Sequence, residues 1–246
     1  MPATPSWPPK SLPRLFVGGP LGPGISVELD AGQANYLGNV MRLKVGGAAL
    51  LFDGASGEWL ARVSEAGKKR MSLAIERRTG EQEAVPDCWL AFAPVKRSQT
   101  DWLVEKATEL GIARLLPVTT KRTIVERVKL ERLEAIAIEA AEQCNRTTVP
   151  EIVEPQSLES FLKGREPQRT LYFADENGGE PAAEAFRPGP AVIVTGPEGG
   201  FTDKEREAVR AAPNAVPVSL GPRILRAETA ALAAITTYMA LAGDWN

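Results

Sequence analysis

The residues best suited to chemistry lie in two glycine-rich corners near the C-terminal end, GPEGGF (196–201) and LGPRILRAETAALAAI (220–235). In the first, Gly196, Gly199 and Gly200 carry no Cβ and admit positive φ, so the backbone can approach a bound molecule closely. Thr202 followed by Glu205 has the spacing of a capping box at the start of a helix. A helix N-terminus favours an anion, yet this corner has no lysine and carries Glu198 inside it. A carboxylate there opposes a polyphosphate and suits hydroxyls, an amine or a cationic sulfur. Neither GxxxxGK[ST] nor GxGxxG occurs in the chain, so the usual triphosphate and dinucleotide fingerprints are missing. In the second corner Gly221 and Pro222 make a rigid turn, and Arg223 and Arg226 bracket Ile224 and Leu225.

The elements that must hold these corners follow from the flanking pattern. Each corner succeeds a short valine-rich run, AVIVT from Ala191 and AVPVSL from Ala215, and so is expected at the C-terminal end of a buried strand. Ligands bind at that end of open α/β sheets. From Cys88 onward strands and helices alternate: WLAFAPV, a helix over 98–110 closed by Gly111, ARLLPVT, a helix over 130–144 with Leu130, Leu133, Ala137, Ala140 and Cys144 on one face, then TLYFAD. That alternation implies a largely parallel sheet. A helix over 226–242, stopped by Gly243, has apolar residues on more than one face, so it is either buried or shared with another subunit. Before the sheet, a proline-rich lead is followed by five short strand candidates (14–17, 25–29, 48–52, 58–64 and 70–76) and one helix over 31–41 capped by Asp30. Five short strands predict a small β-barrel. The polar stretch 79–87 reads as a linker.

Composition narrows the chemistry. The 246 residues contain no histidine, which excludes Ser-His and Cys-His nucleophile pairs and histidine-based zinc sites. Two cysteines, Cys88 and Cys144, are too few for a disulfide framework and are expected as reduced core thiols, with metal-free chemistry. No signal-peptide pattern and no long apolar run occurs, and a cytoplasmic location is expected. Net charge is −2, but residues 1–80 hold ten basic and six acidic side chains, leaving the remainder at −6. A basic module attached to an acidic one suggests recruitment of a polyanion by the first.

Together GPEGG, LGPRILRAETA, EQCNRTTVPEI (142–152), ELGI from Glu109 and LFDG from Leu51 resemble the SPOUT class of methyltransferases, and within it the RsmE type, the uridine N3-methyltransferases of small-subunit (16S) ribosomal RNA. The resemblance implies two domains: a PUA-like RNA-binding β-barrel over 1–80 and a SPOUT methyltransferase domain over 88–246. It also implies that the C-terminal segment is threaded into a deep trefoil knot whose loops form an S-adenosylmethionine pocket, and that the protein is a homodimer pairing its C-terminal helices. Carried onto this chain, the pocket comprises the backbone at Gly196, Glu198, Gly199 and Gly200 on one side. Leu220, Gly221, Ile224 and Leu225 stand around the adenine, and Phe173, Ala174 and Asp175 form a third wall.

Methylation at N3 of uracil needs the N3 proton to leave and the resulting anion to be aligned with the donor. Arg226 is the candidate for stabilising charge on the uracil oxygens. Glu198, Glu228 and water remain alternative proton acceptors, a carboxylate needing a raised pKa for that task. RNA phosphates are expected to meet Arg14, Arg42, Lys44, Lys96, Arg97, Lys121, Arg122 and Arg146, with the target base extruded into the pocket. Where family members commonly carry a histidine and an arginine in the short N-terminal helix, this chain has Tyr36 and Asn39. Two other readings stay open: a non-catalytic RNA-binding factor retaining the fold, and an α/β enzyme using a nucleotide.

Overall fold

The computed structural model describes residues 12–67, 70–125 and 127–245, and the proline-rich lead through Ser11 lies outside them. The chain divides into two compact units, Met1–Glu83 with Glu142–Thr148, and Ala84–Ala141 with Val149–Asn246.

The first unit is a five-stranded sheet of β1 (Arg14–Phe16), β2 (Ser26–Glu28), β3 (Ala48–Phe52), β4 (Glu58–Ala66) and β5 (Met71–Gly80), in the order β1-β3-β4-β5-β2. All pairings are antiparallel except β1 with β3. Period-two alternation buries Trp59, Ala61 and Val63 of β4 beside Met71, Leu73 and Ile75 of β5. Register shifts recur along the β4–β5 ladder, and such bulges bend a sheet so that one face curls around its core. The helix expected over 31–41 is instead α1 (Ala31–Asn35), held by an Asp30–Gln33 capping box, followed by one wide π turn over Tyr36–Val40. The turn carries Leu37 into full burial, and Gly38 inside it lowers the cost of leaving α geometry.

The motif EQCNRTT contributes to this first unit rather than to the sheet of the second. The Phe16 amide donates to Glu142 Oε1 at 2.9 Å, and Arg14 donates to the carbonyls of Glu142 and Arg146 at 3.1 and 2.9 Å. Arg14 also bridges to Glu58 at 2.9 Å and lies over the Phe52 ring. Glu83 accepts from the Thr148 amide and hydroxyl and from Arg146. Arg14 and Arg146, expected at the RNA, are therefore buried structural cations. A buried guanidinium must be fully engaged by protein acceptors, and that need outweighs exposure here. Cys144, expected on the core face of a helix, is only half-buried. That helix ends at Gln143, and Asn145 adopts φ 65°, the left-handed stop that ends a helix.

The second unit is an eight-stranded sheet: β6 (Cys88–Phe92), β7 (Arg114–Thr119), β8 (Glu151–Ile152), β9 (Gln156–Ser157), β10 (Thr170–Ala174), β11 (Glu180–Pro181), β12 (Ala191–Thr195) and β13 (Ala215–Ser219). Its order is β11-β13-β10-β12-β6-β7-β8, with β9 on β7, and every pairing is parallel. The helices are α2 (Arg97–Glu109), α3 (Leu130–Gln143), α4 (Leu158–Gly164), α5 (Ala182–Ala185), α6 (Asp203–Arg210) and α7 (Ala227–Leu241). Every residue of β12 is buried, as expected of a strand covered on both faces. Alternate side chains feed two cores. Leu90, Tyr172 and Ile193 pack with α2, α3, α5 and α7. Leu171, Phe173, Val192 and Val194 pack on the other side with Phe161 of α4 and Val209 of α6. Among the described residues no helix is long and apolar enough to cross a membrane.

Candidate functional site

Both corners form where the sheet reverses its order of strand addition. From β6 the chain steps outward to β7 and β8, then returns to place β12 against β6, with β10 and β13 beyond it. The C-terminal ends of β10, β12 and β13 therefore lie side by side, and the loops leaving them enclose a cavity of about 520 Å³. Such a crevice at a switch point is where open α/β sheets bind ligands.

The structure brings Ala174, Gly196, Glu198, Gly200, Leu220, Gly221, Ile224, Leu225 and Arg226 together on that cavity wall. Phe173 stands behind it: strand alternation turns its ring into the core, edge-on to Phe201 at 5.2 Å. Gly199 also stands behind the wall, against Arg122. The three glycines of the first corner serve different needs. Only Gly200 has positive φ, 65°, and a Cβ there would lie 2.7 Å from Glu176 Oε1. At Gly196 a Cβ would collide with the Phe201 ring at 2.6 Å, so this glycine makes room for packing. In the second corner Gly221 has φ 108° and open space around its missing Cβ.

The first corner is fastened from two directions. Thr202 and Glu205 form the expected capping box of α6, and the Lys121 amide donates to Glu205 Oε1 at 2.7 Å. Burial pushes the Glu205 carboxyl up, but hydrogen bonds from the Lys121 and Thr202 amides and the Thr202 hydroxyl outweigh it and hold the group below its ordinary value. Arg122 donates to the carbonyls of Gly199 at 2.7 Å and Phe201 at 3.3 Å, so part of its guanidinium is committed to the corner rather than to an outside phosphate. On the other side Asp175, its side chain only 1% exposed, takes Arg206 Nε at 3.1 Å and Arg210 Nε at 2.8 Å. Arg206 also bridges to Glu176 at 2.9 Å.

Asp175, expected on the third wall, lines the cavity, and Glu176 and Asn177, which the sequence reading did not include, complete the wall beside it. Their signal is the change from an apolar strand to DENGG directly after TLYFA. Arg226 is the N-cap residue of α7, exposed at the cavity, and Glu228 lies buried in the first turn of the same helix. Glu198 is exposed on the cavity wall. Of the remaining RNA candidates, Arg42, Lys44, Lys96, Arg97 and Lys121 are exposed, Arg42 with φ 56°. The cavity wall carries Glu176 and Glu198 together with the apolar Val218, Leu220, Ile224 and Leu225. Such a lining can take a flat ring system beside a cationic or hydroxyl-bearing tail.

Comparison with known proteins agrees with this arrangement. Residues 81–239 match the family model described as an RNA methyltransferase domain, and residues 29–76 match the RNA methyltransferase PUA domain. The chain is 32% identical to the ribosomal RNA small subunit methyltransferase E of Rickettsia conorii, over 90% of this chain and 93% of that protein. It is 34% identical to the protein of the same name from Synechocystis, over 88% of this chain and 73% of that one. A solved structure of ribosomal RNA small subunit methyltransferase E from Neisseria gonorrhoeae, bound to S-adenosyl methionine, superposes with TM-score 0.89 at 30% identity and covers 96% of this chain and all of that one.

Proposed function

Because the chain belongs to the ribosomal RNA small subunit methyltransferase E family, we propose that it methylates N3 of a uridine in 16S ribosomal RNA, using S-adenosylmethionine held in the cavity between the two corners. The observation that carries this reading is that two glycine corners, one after the fully buried β12 and one after β13, where only Val218 is buried although a buried strand was expected, line one cavity.

The residues present suit the donor. The open approach at Gly221 and the positive φ of Gly200 let backbone amides and carbonyls meet a ligand closely. Leu220, Ile224 and Leu225 supply the apolar surface for an adenine, and Glu176 and Glu198 supply negative potential for a sulfonium or an amine. When bound, the cofactor supplies an electrophilic methyl group.

The chain's own residues then have three tasks. The corners hold donor and base in line, which lowers the barrier by removing translational and rotational freedom beforehand. Arg226, exposed at the cavity and fixed at the N-cap of α7, stabilises negative charge gathering on the uracil oxygens as N3 gives up its proton. Glu198, at the cavity wall, or water takes that proton; Glu228 is buried in the first turn of α7 and does not line the cavity. The curled sheet of the first unit serves as the RNA-binding module, with Arg42 and Lys44 exposed on it. The domains run over 1–80 and 88–246, apart from Glu142–Thr148, which groups with the first unit, and a knotted C-terminal path is supported by the placement of β12 between β6 and β10. A cytoplasmic homodimer belongs to the same reading, supported by exposed Leu241 and Trp245 at the end of the C-terminal helix.

The test is direct. Purified protein is titrated with S-adenosylmethionine by calorimetry, then incubated with 16S ribosomal RNA, and the RNA is digested and analysed by mass spectrometry. A single N3-methyluridine is expected. Absence of donor binding, or a methyl group on another atom, overturns the proposal.

A further inference from the structure

A second hollow of the methyltransferase unit lies where α2 begins, and it shares no lining residue with the cavity of the two corners. We propose that this hollow, walled by Arg97, Arg127, Lys129 and Arg132, seats a backbone phosphate of the RNA substrate. The inference rests on the functional reading above, because that reading makes RNA the polyanion to be bound.

Four cations drawn from two separate stretches of chain converge on about 160 Å³, and among the described lining residues the one carboxylate is Asp101. Asp101 is already engaged in an ion pair with Arg132. Among the described residues, Arg97, Arg127 and Lys129 form no ion pair, so three positive charges gather at one concave place in a chain whose net charge is −2. The first turn of α2 adds no carboxylate to offset them. Arg97, Arg127 and Lys129 are exposed, while the Arg132 side chain is 30% exposed. Burial, and then the neighbouring Arg97 cation, press the Arg132 guanidinium below its ordinary value. Like charges gathered this closely repel one another, and an anion between them reverses the sign of that interaction.

The chemistry selects a phosphodiester rather than a nucleotide. The floor is Pro94, Val95, Val125, Val128 and Leu133. No glycine corner brings backbone amides to the hollow, so recognition falls to side-chain cations. Arginine forks match phosphate oxygens in pairs, and lysine acts as a point charge. Such contacts position a nucleic acid without reading its sequence. The seat therefore anchors a strand whose target base enters the other cavity.

The experiment measures binding of the full chain to transcribed 16S ribosomal RNA across a salt series. The Arg127→Gln/Lys129→Gln variant neutralises two exposed cations outside the core. Arg132→Gln provides a second route, and Lys163→Gln/Lys204→Gln removes two exposed charges on other helices as a control. The Arg127/Lys129 variant is expected to bind roughly tenfold more weakly at moderate salt, with a log–log salt slope shallower by about 1 to 2. Its S-adenosylmethionine affinity should be unchanged, and the control should stay near wild type. An unchanged slope in both the Arg127/Lys129 and Arg132 variants, or an equal loss in the control, overturns the seat while leaving the methyltransferase reading in place. Wild-type protein that binds the donor but no RNA overturns both.

Discussion

Replacing Asp175 with asparagine tests whether the cavity wall is held by charge. The aspartate side chain is 1% exposed and receives Arg206 Nε at 3.1 Å, Arg210 Nε at 2.8 Å and the Asn177 amide at 2.9 Å. Asparagine keeps the shape and one acceptor oxygen, but it loses the charge and turns an amide donor toward a guanidinium. Hydrogen bonds to charged groups contribute about 1.5–3 kcal/mol each, and removing one member of a buried ion pair costs about 3–5 kcal/mol. The Arg206 and Arg210 side chains are 12% and 39% exposed, so water recovers part of that loss. The net expectation is about 2–3 kcal/mol. With a urea m-value of about 3 kcal/mol/M for a chain of this size, the unfolding midpoint should fall by about 0.7–1 M. The same turn carries Glu176 and Asn177 on the cavity wall, so calorimetry should find donor affinity weakened by roughly tenfold, about 1.4 kcal/mol. A double-mutant cycle with Arg210→Ala isolates the pair and should give a coupling of about 1–2 kcal/mol. A midpoint shift below about 0.3 M would show that solvent already screens these charges and would refute the argument.

Gly200→Val forces a β-branched residue into φ 65° with its Cβ 2.7 Å from Glu176 Oε1. It should destabilise the fold by about 1–3 kcal/mol and abolish donor binding in calorimetry; near-wild-type affinity would remove the positive-φ requirement at this corner. Arg226→Ala should lower turnover by roughly a hundredfold while donor affinity stays within about threefold, as read by steady-state methylation and calorimetry. Because the Glu205 carboxyl is held below its ordinary value of 4.5, the ionised form stabilises the native state. That contribution is complete above the unfolded pKa and disappears as pH falls through the lower folded one. Melting temperatures of wild type and Glu205→Gln should therefore differ at neutral pH and converge below about pH 4; a constant gap contradicts the assignment.

Much of the site was legible because its cues are local. The AVIVT and AVPVSL runs preceding glycine, the Thr202–Glu205 spacing and the paired arginines of the second corner each act within a few residues, and local sequence dictates local backbone. The same holds for Asp30 as a cap and for the alternation that defines the strands of the first unit. The fate of the cations was not local. Arg14 and Arg146 have the same composition-level appearance as Arg42 and Lys44, yet the first two are consumed by Glu58, Glu83 and backbone carbonyls of Glu142 and Arg146.

What the sequence determined by itself was the family and most of the longer strands and helices, but not the short elements β8, β9, β11, α4 and α5. Hydrophobic period and turn residues encode element type over short distances. Only the tertiary structure decided that Phe173 and Gly199 stand behind the wall while Glu176 and Asn177 stand on it. It alone joined Glu142–Thr148 to the first unit, and it alone gathered four cations at the start of α2. Each of these depends on which distant segments meet, and strand order and side-chain partnership across the sheet are set by packing between elements that no short window of sequence contains.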